Sequence, residues 1–230
     1  MMKNVIFFVF LCCFLCLSSN LWARNYSSSQ IERFVNKTPR EVENNIPKLV
    51  NFLTKPFDND YDKAKAIAFW IASRIVYDEY LYNNGKATKL RNSYMGQEPR
   101  ELLKSRVGIC GDFANLFKEM CKRAGIRVYN VRGFAYPSNA RLSTSQKRTQ
   151  GHIWNYFIFN NRKIYVDTTF MAEGRTGIRG NGNSMNRTRT LRKIKNKNKY
   201  KSKTSNFDEF YFNFSYDDEE KLRKYKREER

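Results

Sequence analysis

Apolar residues in the first third of the chain recur at helical spacing. Their pattern predicts a short helix over residues 28–37. Thr38-Pro39-Arg40-Glu41 is typical of a helix start, because Thr38 can cap the helix and Glu41 can close a capping box. This second helix should kink or break at Pro47, and its apolar positions are Val42, Ile46, Leu49, Val50 and Leu53. A third helix is predicted from Tyr61 to about Val76, with a buried stripe of Ala64, Ile67, Ala68, Ile71 and Ile75.

A fourth helix is predicted to begin in the run Gly108-Ile109-Cys110-Gly111-Asp112. Its apolar positions repeat at helical spacing: Phe113, Leu116, Phe117, Met120, Cys121 and Ala124. Gly125 should end this helix in the left-handed conformation, and Asp112 lies in the first turn, where a negative charge is favoured. The preceding residues, 77–106, are polar and basic, and we expect loop with short helical pieces there.

After Gly125 the pattern changes to the alternation that is typical of strands. Four strands are predicted: Ile126–Val131, Gly133–Tyr136, Ile153–Phe159 and Ile164–Thr168. Asn160-Asn161 indicates a tight hairpin between the last two strands. A helix-rich half that packs on a small antiparallel sheet defines an α+β fold.

Residues 1–23 have the composition of a leader. Lys3 precedes thirteen uninterrupted apolar residues, Val5–Leu17, which are followed by a more polar stretch that ends at Ala23. This layout indicates a secretory signal peptide, and a permanent span, which needs about 20 apolar residues, is the alternative as an uncleaved anchor. We therefore expect a secreted or periplasmic protein, with a main domain over residues 24–170.

Charge is strongly unbalanced along the 230-residue chain. It holds 43 Lys and Arg against 22 Asp and Glu, a net charge of +21, and its 41% apolar content excludes a fully disordered chain. Residues 175–203 carry eleven Lys and Arg and no acid, within a predicted flexible insertion over residues 171–205. This basic tract can be a solvated loop, a contact for an anionic polymer or membrane surface, or a nucleic-acid contact, although no nucleic-acid-binding signature is present. Residues 206–230 are aromatic first and then of mixed charge.

Two of the five cysteines remain once the leader is set aside, Cys110 and Cys121. Cys110 lies at the predicted N-terminus of a helix, where unpaired N–H groups stabilise a thiolate, so it is a candidate nucleophile. It can equally be a small buried residue. Cys121 lies among apolar residues in the same helix, which favours an inert thiol. The two are about 16 Å apart at the rise of a helix, too far for a disulfide with each other.

His152 is the only histidine, and the hairpin gives it a partner. If Asn160-Asn161 forms a two-residue turn, Asp167 lies opposite Trp154 and shares a face with His152, at roughly 7 Å between backbone positions. A carboxylate there can orient the imidazole, which leaves the other ring nitrogen to take a thiol proton. Read separately, His152 and Asp167 can be ordinary buried or strand-end residues. Together with Cys110 they predict a Cys-His-Asp site.

Three separated motifs carry a family resemblance. They are Gly108-Ile109-Cys110 with Gly133-Phe134-Ala135-Tyr136, then Gly151-His152-Ile153-Trp154-Asn155, and then Tyr165-Val166-Asp167-Thr168-Thr169. In this order they resemble transglutaminase-like proteins, and in particular the secreted branch that resembles kyphoscoliosis peptidase. The upstream helix around Lys63-Ala64-Lys65-Ala66-Ile67 is similar as well. The resemblance covers about residues 49–169.

The resemblance implies a papain-like thiol site with no metal and no cofactor. It implies Cys110 as nucleophile, His152 as base and acid, and Asp167 as the residue that orients His152. The chemistry would be acyl transfer through a thioester, with an amine or water as acceptor. Three features differ from the family pattern: Gly111-Asp112 replaces a Glu-Gly pair, Tyr165 stands where Trp is frequent, and Phe207–Phe214 only loosely resembles a later strand.

An oxyanion site is needed in such an enzyme, and the backbone N–H of Cys110 can supply one donor. Gln97, Trp70 and Tyr77 are the candidates for a second donor. We therefore predict a secreted thiol enzyme that acts on amide bonds of a protein or peptide. The alternative is a catalytically silent module of the same fold that binds a protein partner or an anionic surface.

Overall fold

The computed structural model describes residues 26–78, 97–135, 151–172 and 209–214, and the backbone alone of 225–227. The predicted leader (1–23) and the basic tract (175–203) lie outside the described residues, as do Tyr136 and residues 79–96. Among the helices of the described ranges, none is long and apolar enough to cross a membrane.

Six α-helices and seven strands follow one another in the described ranges. The first half contains α1 (Ser28–Val35), α2 (Ile46–Thr54), α3 (Asp60–Arg74), β1 (Val76–Tyr77), α4 (Pro99–Ser105), β2 (Val107–Gly108) and α5 (Cys110–Arg123). The second half contains β3 (Val128–Ala135), β4 (Gly151–Phe159), β5 (Arg162–Val166), α6 (Thr168–Met171), a 3-10 turn (Glu209–Tyr211), β6 (Phe212–Phe214) and β7 (Tyr225–Arg227). The predicted α+β class is confirmed.

The predicted start of the second helix at Thr38-Pro39 is wrong, because α2 begins at Ile46. Asn45 caps it by accepting the backbone N–H of Lys48 at 3.0 Å. Pro47 lies in the first turn, where backbone N–H groups have no partner within the helix, so its missing N–H costs nothing. In the interior of a longer helix, a proline would remove a backbone hydrogen bond. The Thr38 hydroxyl instead donates back to the carbonyl of Val35 at 2.6 Å.

Helix α3 is the centre of the helical half. It packs against α1, α2, α5 and α6, so burial extends well beyond the predicted apolar stripe. Every residue from Ala64 to Arg74 is buried, including the charged side chains Lys65 and Arg74. The largest fully buried side chains around it include Phe69, Trp70, Phe113, Phe117, Trp154 and Phe157. The core therefore lies between α3, α5 and the sheet.

Helix α5 confirms the predicted fourth helix at both ends. It begins at Cys110, and Gly125 follows its last turn with a φ of 83°. Residues that have a side chain rarely adopt such a positive backbone φ, so glycine suits this position. The helix packs on β3 and β4, which places its N-terminus beside the start of β4.

The main sheet has the strand order β6-β5-β4-β3-β7, with neighbouring strands antiparallel. The predicted hairpin register is confirmed, because Phe159 pairs with Arg162 and Asn155 pairs with Val166. Both turn residues have positive φ, 48° for Asn160 and 58° for Asn161, as a tight hairpin of this kind requires.

Two of the predicted strands have different bounds in the structure. The predicted strands Ile126–Val131 and Gly133–Tyr136 are joined into one strand, β3 (Val128–Ala135), because Gly133 pairs with His152 and the ladder continues through it; Tyr136 lies outside the described residues. The predicted strand Ile164–Thr168 ends at Val166. Its last residues turn into α6 because Asp167 caps that helix, accepting the N–H groups of Thr169 and Phe170.

Candidate active site

The N-terminus of α5 is fixed by a buried carboxylate. Asp112 Oδ2 accepts the backbone N–H of Ile109 at 2.8 Å, and Asp112 Oδ1 accepts the backbone N–H of Gln97 at 2.6 Å. A Cβ on Gly108 would lie 2.7 Å from Asp112 Cβ, so only glycine fits in front of this carboxylate. Burial raises the pKa of Asp112, although its hydrogen bonds with Ile109 and Gln97 oppose that rise. The predicted first-turn acid therefore joins two chain segments at the start of the helix.

Cys110 lies just inside this helix start, where it is 8% exposed. It packs with Ala114 of the next turn and Ile153 of β4, and Tyr77 closes the cluster. Tyr77 is placed there by the short parallel pair of β1 and β2, in which it lies opposite Gly108. The thiol therefore has apolar neighbours on several sides.

His152 connects Cys110 with Asp167. Its Nε2 lies 2.6 Å from Asp167 Oδ2, and the ring also hydrogen-bonds Cys110. Since Nε2 faces the carboxylate, Nδ1 is the ring nitrogen left for the thiol. His152 and Asp167 are 7% and 1% exposed. The structure thus brings the three predicted residues together, with the His152–Asp167 contact on the face that the hairpin register indicated.

The charge of His152 follows from these contacts. Burial alone would lower its pKa, but the Asp167 charge, the Asp167 hydrogen bond and the contact with Cys110 together raise the pKa from 6.5 to about 10. At neutral pH the ring is therefore an imidazolium. A cation beside a thiol favours the thiolate, which is the nucleophilic form.

Asp167 is held from three directions. One oxygen faces His152, while the other, Oδ1, accepts the backbone N–H groups of Thr169 at 3.0 Å and Phe170 at 3.1 Å. Its own N–H donates to the carbonyl of Tyr211 at 2.9 Å. A carboxylate with this many fixed partners has one orientation, and it imposes that orientation on His152.

Two aromatic rings pack against the imidazole. Phe170 is nearly parallel to it, with ring centroids 4.7 Å apart, and Trp154 lies on β4 at 5.7 Å. These contacts restrict rotation of the ring and exclude water from the His152–Asp167 hydrogen bond. Sequence reasoning missed Phe170 and Tyr211 as part of the site; the only signal was their aromatic character next to Asp167 and in the late aromatic segment.

The three candidates for a second oxyanion donor have different environments. Gln97 Nε2 donates to the Val107 carbonyl at 2.8 Å and its backbone N–H is bound to Asp112, so Gln97 positions the helix start. Trp70 is fully buried under the guanidinium of Arg106, 4.9 Å from the ring centroid. Of the three, Tyr77 is the one that packs in the cluster of Cys110.

The second thiol, Cys121, is chemically distinct. It is fully buried in the core, and burial raises its pKa well above the ordinary value. Both Cys110 and Cys121 are free thiols on one continuous helix, as the sequence spacing predicted. Over the ranges that the structure describes, no group of His, Cys, Asp and Glu is arranged to hold a metal ion.

Comparisons with known proteins place this site in a family. The model of the transglutaminase-like superfamily matches residues 47–168, which contain Cys110, His152 and Asp167. The chain belongs to the transglutaminase-like superfamily. That assignment confirms the resemblance seen in the motifs.

Similar proteins include kyphoscoliosis peptidase of Mus musculus, 26% identical over 129 residues, and that of Homo sapiens, 25% identical over 129 residues. Each match covers 56% of this chain and 18% of the relative. Similar solved structures include a candidate cysteine protease from Cytophaga hutchinsonii, with a TM-score of 0.41 and 21% identity over 60% of this chain and 42% of that one. A TGase structure has a TM-score of 0.42 and 14% identity over 79% of this chain and 42% of that one. The chain thus spans less than a fifth of the length of the kyphoscoliosis peptidases.

Proposed function

We propose that this protein is a thiol enzyme that transfers or hydrolyses acyl groups at amide bonds of a protein or peptide. One observation carries the proposal: a buried His152 lies between the carboxylate of Asp167 and the thiol of Cys110. A histidine in this position can hold a proton for the leaving group and keep the neighbouring sulfur ionised. Membership of the transglutaminase-like superfamily supports the same class of chemistry.

The proposed reaction has two stages. The Cys110 thiolate attacks the amide carbonyl, and the backbone N–H of Cys110 donates to the oxyanion that forms. The imidazolium of His152 gives its proton to the departing nitrogen, so that the C–N bond breaks and a thioester remains on Cys110. In the second stage the neutral His152 removes a proton from water or an amine, which attacks the thioester and releases the sulfur. Asp167 holds the ring in place throughout.

We also propose that the protein acts outside the cytoplasm. The support is the sequence of residues 1–23, which have the layout of a secretory signal peptide and lie outside the described residues. An uncleaved anchor made by the same residues is the alternative. In either case the substrate would be met in an envelope or extracellular space.

A second candidate function is a silent module of the same fold. The observation that favours it is the basic tract of residues 175–203, whose eleven positive charges can bind an anionic polymer or membrane surface without any chemistry at Cys110. The close packing of Cys110, His152 and Asp167 argues for the enzyme, since a binding module gains nothing from an oriented imidazole beside a thiol.

The enzyme proposal is tested by incubating the protein with casein and an amine-tagged probe and analysing the products by mass spectrometry. Amine incorporation, deamidation of glutamine and backbone cleavage each give a different mass change, so the acceptor and the bond are identified together. Cys110→Ala should abolish the change, whereas the matched Cys121→Ala variant should keep it. Products that form equally with Cys110→Ala, or no product from the wild-type protein with any of several protein substrates, would favour the silent module.

A further inference from the structure

Helix α3 contains a buried lysine that takes no direct part in the predicted chemistry. Lys65 of α3 is 8% exposed, although lysine is rarely buried without partners. Its Nζ lies 2.6 Å from Glu209 Oε1 and 2.6 Å from the hydroxyl of Ser28. The Ser28 hydroxyl also donates to Glu209, so the three side chains form one closed hydrogen-bonded group that joins α1, α3 and the 3-10 turn.

Aromatic rings enclose the same ammonium group. Lys65 Nζ lies 5.5 Å from the ring centroid of Phe69, 5.6 Å from that of Phe212 and 5.8 Å from that of Tyr61. Each of these distances is within the range of a cation–π contact. Phe212 is the first residue of β6, so Lys65 contacts the late segment Glu209–Phe214 at two points, through Glu209 and through Phe212.

The same late segment also contacts Asp167 and Phe170, which both pack against His152. The Tyr211 carbonyl accepts the N–H of Asp167 at 2.9 Å, and the Tyr211 ring packs on Phe170 with centroids 5.5 Å apart. Phe170 in turn lies against the imidazole of His152. The pairing of β5 with β6 shifts register between Tyr165 and Val166, and the bond between Asp167 and Tyr211 continues the register in which Val166 pairs with Phe212.

Lys65 and its partners therefore fix Glu209 and Phe212, and Tyr211 between them reaches Asp167. We propose that Lys65 is a positioning residue, which holds the segment Glu209–Phe214 so that Tyr211 keeps Asp167 oriented toward His152. This inference deepens the proposed function, on which it rests. The family match ends at residue 168, so it includes Asp167 but not the segment Glu209–Phe214 that contacts it.

Stability alone gives a poor account of this arrangement. A buried ion pair often contributes little net stability, because desolvation of the charges offsets their attraction, and here the Glu209 side chain is 47% exposed. The hydrogen bonds and ring contacts of Lys65 are directional, so they are better suited to fixing the position of the segment Glu209–Phe214. Burial tends to raise the pKa of Glu209, but hydrogen bonds from Lys65 and Ser28 and the Lys65 charge bring it below its ordinary value. Glu209 is therefore ionised at neutral pH, and the group is intact where the enzyme would work.

The test compares four forms of the full chain: wild type, Lys65→Met, Lys65→Arg and the control Lys104→Met. Lys104 forms an exposed pair with Glu101 on α4, so its substitution removes an ion pair away from this segment. Two quantities are measured for each: the pKa of His152 by nitrogen-15 NMR, and the rate of Cys110 alkylation by iodoacetamide between pH 5 and 10. Because His152 is the only histidine, its imidazole signals need no assignment.

Lys65→Met should lower the pKa of His152 and slow Cys110 alkylation near pH 6 by about tenfold, the scale expected when a catalytic group is slightly misplaced. Lys65→Arg should keep the His152 pKa and the Cys110 alkylation rate close to their wild-type values. Lys104→Met should match the wild type in both quantities. If Lys65→Met fails to fold, Glu209→Gln, which keeps the size of a half-exposed side chain, should show the same two changes.

An unchanged His152 titration and alkylation profile in a folded Lys65→Met or Glu209→Gln variant, with only a lower melting temperature, would overturn the inference. The proposed function fails on a different result, namely a wild-type Cys110 that alkylates no faster than an ordinary exposed thiol. In that case the NMR titration of His152 still decides whether Lys65 positions the pair.

Discussion

The Asp167→Asn substitution tests whether the Asp167 carboxylate keeps His152 protonated by raising its pKa. Asparagine keeps the shape of the side chain and can still cap α6, but it carries no charge. Burial is the largest single influence on His152 and lowers its pKa, so without the Asp167 charge the pKa should fall from about 10 to 6.5 or below. A fall from about 10 to 6.5 corresponds to about 5 kcal/mol of lost preference for the imidazolium.

The same substitution should also change how the free energy of unfolding depends on pH. The folded pKa of His152 lies above its unfolded value, so the charged ring contributes stability that is complete below pH 6.5 and disappears as the pH rises through about 10. Wild type should therefore lose stability relative to Asp167→Asn across this window. Urea unfolding of both proteins at several pH values from 6 to 10 measures the difference, and groups that titrate equally in both cancel.

Nitrogen-15 NMR of the single imidazole gives the direct result. The wild-type ring should remain protonated through neutral pH, and the Asp167→Asn ring should be neutral at pH 8. A wild-type His152 that titrates near 6.5, or an Asp167→Asn variant with the wild-type titration, would refute the account of the charges. Proton exchange at Nε2 should also quicken in the variant, because the 2.6 Å contact loses its ionic partner.

Three further predictions concern the surroundings of the site. Gly108→Ala should destabilise the fold by about 1–3 kcal/mol, measured by urea unfolding, because the new methyl group would lie 2.7 Å from Asp112 Cβ. Cys121→Ala should cost about 1–2 kcal/mol in the same assay, through lost packing, and leave alkylation of Cys110 unchanged; a large loss of Cys110 reactivity would contradict the separation of the two thiols. Deletion of residues 175–203 should reduce binding to heparin and to anionic vesicles, and wild-type binding should weaken steeply between low and physiological salt. If the deletion variant binds as well as the wild type, the binding must come from the other basic residues of the chain and not from residues 175–203.

The sequence was sufficient for those parts of the site that follow from local chemistry. The α5 pattern located Cys110 at a helix N-terminus, and the parity of a two-residue turn brought His152 and Asp167 to one face. Both inferences use short-range rules, either helical spacing or strand alternation. Such rules are reliable where the chain between the residues is regular.

Contacts between distant segments were not predictable in the same way. Asp112 was expected to favour the helix N-terminus, but its bond to Gln97 depends on how α4 packs. Lys65 resembles any solvent-exposed lysine of a helix until Glu209, 144 residues later in the chain, is placed beside it. The wrong start of α2 has a local cause, since two proline-containing helix starts, at Pro39 and Pro47, compete and only the second has a capping Asn45.

The reactivity of Cys110 tests the central claim most directly. Iodoacetamide is added to the folded protein near pH 6, and labelling of Cys110 and Cys121 is followed by mass spectrometry over time, in wild type and in His152→Ala. The account predicts that wild-type Cys110 is labelled far faster than an ordinary exposed thiol, that Cys121 stays unlabelled because burial raises its pKa and hides it, and that His152→Ala slows Cys110 strongly. Labelling of Cys110 at the rate of an ordinary thiol, unchanged by His152→Ala, would contradict a thiol enzyme.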